Sequence, residues 1–115
     1  MKVVLHIDSE KVRRLRLTLN NMTNLIAAAE GRLVEGVVLV NGPAAQQVTA
    51  SMDMELSQMI SQLAEAGVDF YVCNNALVRF EIGREVLHPD FKVTRNGILK
   101  LVELQRREGY AYIKP

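Results

Sequence analysis

Short apolar runs at Val3 to Ile7, Val37 to Val40 and Phe70 to Val72 are mostly continuous and rich in β-branched side chains. Continuity rather than strict alternation predicts strands covered on both faces, as in a parallel sheet. Between the first two runs, Val12, Leu15, Leu19, Met22 and Ile26 recur at three- and four-residue steps and so line one face of a helix. Asp8 or Ser9 can cap its start, and Gly31 follows its end. A second periodic set, Leu56, Met59, Ile60 and Leu63, begins after the cap candidates Ser51 and Asp53 and ends near Gly67. A shorter helical turn is expected just after Pro43. Asn75 to about Phe80 reads as a brief helix, followed by a loop holding Gly83 and His88-Pro89-Asp90. Phe91 to Thr94 then reads as a fourth strand. Ile98, Leu101, Val102 and Gln105 mark a last helix closed by Gly109, and Ala111 to Ile113 a fifth short strand.

Strands that alternate with helices imply βαβ units with right-handed crossovers. The expected fold is therefore an α/β protein, a three-layer α/β/α sandwich around a mostly parallel sheet of about five strands, with residues 1–115 forming one domain. No repeat, low-complexity stretch or linker interrupts it. Strand order does not follow from the pattern.

Charge narrows the choice of partners. Fourteen Lys and Arg against thirteen Asp and Glu leave a formal +1, far from the basic footprint of a dedicated nucleic-acid binder. His6 and Asp8 interrupt the first apolar run before it reaches signal-peptide length, and no stretch approaches the ~20 apolar residues of a membrane span. With a single unpaired cysteine, these features lead us to expect a cytoplasmic protein with neither nucleic acid nor membrane as partner.

Cys73 has no partner within the chain, which excludes an intramolecular disulfide, a CxxC redox pair and a multi-cysteine metal site. Two readings remain, a buried small hydrophobe or a single nucleophile. In an open parallel sheet ligands gather at the carboxyl ends of the strands. Here those ends carry Asp8, Asn41-Gly42, Cys73-Asn74-Asn75 and Arg95-Asn96-Gly97. Asn74 or Asn75 can cap the next short helix, placing Cys73 near unpaired amides that favour a thiolate. His6 lies inside an apolar run. If the first and third strands are neighbours it can approach Cys73 as base or hydrogen-bond partner, with Asp8 orienting the ring or simply capping the first helix.

The other features are read more plainly. Asn41-Gly42-Pro43 and Asn96-Gly97 form turn-to-helix corners that are possible pocket positions, with a turn-only role the better expectation. Two histidines and one cysteine without ligand spacing make no metal site, and without GxGxxG or GxxxxGK[ST] no nucleotide cofactor is indicated. Lys11, Arg13, Arg14 and Arg16 read as a solvated helix face, and Met52, Met54 and Met59 as core or subunit contact.

Taken together, His6-Ile7-Asp8, Asn41-Gly42, Ala66-Gly67-Val68 leading into Tyr71-Val72-Cys73-Asn74-Asn75, Asn96-Gly97, and the ending Glu108-Gly109-Tyr110-Ala111-Tyr112-Ile113-Lys114-Pro115 resemble the small DsrE/DsrF-like proteins of intracellular sulfur metabolism. The resemblance runs nearly end to end. The Cys-Asn-Asn corner and the terminal segment carry most of it. It implies a DsrEFH-like sandwich assembled as a homotrimer or hexamer. For members with the strand-end cysteine it also implies sulfane sulfur carried as a persulfide, passed between donor and acceptor proteins, and Cys73 is the matching position. The expected function is sulfur relay on Cys73, supported by Asn74, Asn75, His6 and Asp8. The alternative is a non-catalytic oligomeric binding module for a small anion or a protein partner.

Overall fold

A computed structural model describes residues 1–115. Five strands, β1 (Lys2–Ile7), β2 (Glu35–Val40), β3 (Asp69–Cys73), β4 (Phe91–Thr94) and β5 (Ala111–Ile113), form one sheet in the order β4-β3-β2-β1-β5. Every neighbouring pair is parallel. The expected mostly parallel sheet is therefore wholly parallel, and each strand extends the predicted apolar run by at most two residues at either end. All five carboxyl ends face one edge, which brings the predicted corners to that edge.

Four α-helices connect the strands: α1 (Val12–Ala28), α2 (Met54–Glu65), α3 (Asn74–Arg79) and α4 (Gly97–Arg106). The segment after Pro43 is a 3-10 turn over Gly42–Gln47. Alternate strand residues separate into two layers of core. Val3, Leu5, Ile7, Val38, Val40, Phe70 and Val72 pack beneath α1, α2 and α3 through Leu15, Leu19, Met22, Leu56, Ile60, Leu63 and Leu77. On the opposite face Val4, Val37 and Leu39 meet Leu101 and Leu104 of α4. Burial on both faces explains the continuous apolar runs, because no strand position in β1 or β2 after the first remains exposed. The result is the expected three-layer α/β/α sandwich, with one face covered by a single helix.

Several caps differ from the sequence expectation. Neither Asp8 nor Ser9 caps α1: Lys11 occupies the N-cap with no side-chain bond, and Ser9 Oγ instead accepts from the Lys11 N–H at 3.1 Å. The loop after β1 is longer than a direct cap requires, so Asp8 is free to pair with Lys114 at 3.0 Å. For α2, Asp53 rather than Ser51 is the cap, accepting from the Glu55 N–H. Asn74 and Asn75 do not cap α3. Cys73 itself holds the N-cap position and both asparagines fall inside the helix, which begins one residue earlier than predicted. Asn96 caps α4, its Oδ1 accepting from the Leu99 N–H at 2.9 Å.

Candidate functional site

The carboxyl edge between β3 and β4 lies where successive connections part. The chain leaves β3 into α3 on one face and leaves β4 into α4 on the other. In open α/β sheets such a divergence leaves room at the carboxyl edge for a ligand. Cys73 ends β3 in register with Thr94 of β4, and its side chain is buried, 6% exposed. The N–H of Gly97, the first residue of α4, donates to Cys73 Sγ at 3.3 Å. That amide is one of those a helix leaves without an internal partner, so the sulfur serves as its acceptor.

Gly97 also packs closely against Asn41, the residue after β2. A Cβ at this position would collide with Asn41 Oδ1. Asn41 follows β2 and is buried, with Nδ2 donating to His6 Nε2 at 3.3 Å. The other ring nitrogen, His6 Nδ1, lies 2.7 Å from the Tyr112 hydroxyl. Since Nε2 accepts, Nδ1 carries the proton and donates to the Tyr112 oxygen. Burial holds the His6 pKa below its ordinary value, Asp8 opposes that shift and Lys114 adds to it. The ring is therefore neutral at pH 7, in keeping with its one-donor, one-acceptor partners.

Tyr112, His6, Asn41, Gly97 and Cys73 thus form a row across the α4 side of the edge. β1 and β3 are not neighbours. β2 separates them, and two strand spacings amount to about 10 Å. His6 consequently meets Asn41 rather than the thiol, and Asp8 does not hold the ring because it is turned to Lys114. Asn74 Oδ1 accepts from Arg84 Nη2 at 3.0 Å, and Asn75 is exposed. Gly42 takes a positive φ of 52° as the chain enters its 3-10 turn. Of the predicted positions, Cys73, Gly97, Asn41 and His6 are brought into one row, with Asn96 capping the helix that supplies the amide. Asp8, Asn74, Asn75 and Gly42 lie outside the row.

Two features escaped the sequence reading. The first is Tyr112, 106 residues from the histidine it binds. The second is a cluster around His88, which is 2% exposed. Its Nε2 lies 2.9 Å from Ser57 Oγ, while Asp90 N–H donates to Nδ1 and Ser61 Oγ donates to the Asp90 carboxylate. This resembles a Ser-His-Asp arrangement, but the polarity is reversed. A backbone donor on Nδ1 puts the proton on Nε2, which then donates to Ser57 and does not take its proton as a catalytic base must. The cluster ties α2 to the segment before β4. No three His, Cys, Asp or Glu side chains converge to hold a metal ion.

Residues 2–115 match the DsrE/DsrF-like family. The chain belongs to that family. Among solved structures, this DsrE/DsrF-like chain is similar to a protein of unknown function, MTH1491 from Methanobacterium thermoautotrophicum. The two share 31% identity over 99% of this chain and 98% of the other, with a TM-score of 0.89. The ychN protein from E. coli has the same fold, with a TM-score of 0.78 over the whole of both chains at 11% identity. No curated protein matches. Family membership suggests a role related to sulfur metabolism. No helix is long and apolar enough to cross a membrane.

Proposed function

We propose that this DsrE/DsrF-like protein is a cytoplasmic sulfur-relay protein that carries sulfane sulfur as a persulfide on Cys73. The observation that carries this reading is the Gly97 N–H aimed at Cys73 Sγ at the carboxyl end of β3. An amide that donates to sulfur stabilises negative charge on it without reorganising. The Cys73 thiolate attacks the outer sulfur of a donor R–S–SH. The donor's S–S bond breaks, R–S⁻ leaves, and a new S–S bond forms to give Cys73–S–SH. Attack by an acceptor thiolate on that outer sulfur returns the Cys73 thiolate. No second cysteine in the chain can divert the held sulfur into an internal disulfide. His6, Asn41 and Tyr112 act from a distance, by seating α4 against the strand edge.

Because Cys73 is buried, a donor reaches it when the first turn of α4 shifts from the end of β3. We propose a homo-oligomer, a trimer or hexamer, as the working form. Ile98, Leu99 and Val102 of α4, with Tyr112 and Ile113 of β5, are large exposed apolar side chains on or beside the thinly covered face.

The test is intact-mass and peptide mass spectrometry after incubation with a small persulfide donor. Cys73 gains about 32 Da, one sulfur atom, and Cys73→Ser gains none. No adduct with several donors would sink the relay reading. The burial of Cys73 favours one second reading, the non-catalytic binding module, in which the thiol only fills space. There Cys73→Ser would keep both assembly and ligand binding, whereas the relay loses transfer.

A further inference from the structure

An opening lies at the carboxyl ends of β1 and β5, two strands from Cys73. It is a cavity of about 330 Å³, lined by buried His6 together with Asp8, Lys11, Arg14 and Lys114. Asp8 is its one acidic side chain, and Lys114 already pairs with it at 3.0 Å. Lys11 and Arg14 have no carboxylate partner. Both stand at the start of α1, which has neither an acidic residue in its first turn nor a side-chain cap. Cations at that end oppose the helix dipole. The loop after β1, the first turn of α1 and the tail after β5 therefore bring positive charge to one concavity, where neither Lys11 nor Arg14 forms an ion pair.

We infer that this cavity binds a small oxyanion of the phosphate or sulfate class, held by Arg14 and Lys11 with Lys114 at its side. Arg14 offers the planar fork that takes two oxygens of such an anion, and Lys11 supplies a point charge beside it. The volume sits at the lower end of small-molecule sites, leaving room for a small organic group attached to the anion. The inference does not depend on the persulfide reading, because Cys73 does not line this cavity.

The experiment is an NMR titration of the full chain with inorganic phosphate at constant ionic strength, repeated with methyl phosphate. Expected are saturable shifts confined to Asp8–Arg14, Lys114 and the His6 ring. Arg14→Gln should weaken binding at least ~10-fold, about 1.4 kcal/mol. Lys92→Gln, which removes an ammonium paired with Asp69 far from the cavity, should titrate as the parent does. Tighter binding of methyl phosphate identifies the anion as part of an organic molecule, and equal binding identifies the free ion. Cys73→Ser should bind as the parent, so failure of the relay leaves this result standing. Shifts that rise without saturation and spread over all basic residues, or an Arg14→Gln variant that binds like the parent, overturn the inference.

Discussion

At the scale of single residues, His6 sets a pH dependence. Its folded pKa lies below the ordinary 6.5 because burial disfavours the imidazolium. Between that lowered value and 6.5 the unfolded chain binds more protons than the folded one, so stability falls as pH drops through the window. Above it, both states are neutral at this position and the contribution is complete. His6→Gln should flatten this part of the pH dependence of urea unfolding relative to the parent. A difference between the two that is constant with pH would refute the assignment. Gly97 makes a second, steric prediction. Ala there is a better helix former, but its methyl meets Asn41 Oδ1. Gly97→Ala should cost about 1–3 kcal/mol, read as a lower urea midpoint at unchanged m. Cys73 was legible at this scale as a lone thiol at a strand end. The His6–Tyr112 bond was not, because no local pattern links positions 106 residues apart.

At the scale of elements, α4 holds the site together. It alone covers one face of the sheet, and its first amide reaches the sulfur. Asn96 sets where that helix begins. Asn96→Ala should lower stability by about 1 kcal/mol through loss of the cap and, by loosening the first turn, speed alkylation of Cys73. Asp53→Ala, the matching cap loss on α2, should cost a similar amount while leaving Cys73 alkylation unchanged. Equal effects of the two variants on alkylation would separate α4 from the thiol. Helix and strand positions were legible because apolar spacing of three and four residues, or continuous runs, follow directly from burial on one or two faces. The caps at α1 and α3 were misplaced for a physical reason. Several polar residues precede each helix, and tertiary partners decide among them: Lys114 draws Asp8 away and Arg84 engages Asn74.

At the scale of the whole molecule, strand order decides the chemistry. The sequence implies βαβ units but leaves their order open, because the pairing of β5 with β1 and of β4 with β3 is non-local. That order puts Asn41, rather than His6, beside the amide that serves Cys73. It also leaves the α4 face thinly covered, and on that basis Ile98→Glu should shift the protein toward smaller species in light scattering if the homo-oligomer forms there. An unchanged mass would place the interface elsewhere. Relay on Cys73 requires that the thiol be reached in the folded protein. The direct measurement is the rate of Cys73 alkylation as urea is raised through the region below the unfolding transition. A local opening at the start of α4 predicts a finite rate in water that is nearly flat with urea. A rate that vanishes in water and climbs with the slope of global unfolding would show that the sulfur meets solvent only in the unfolded chain, contradicting a relay on Cys73.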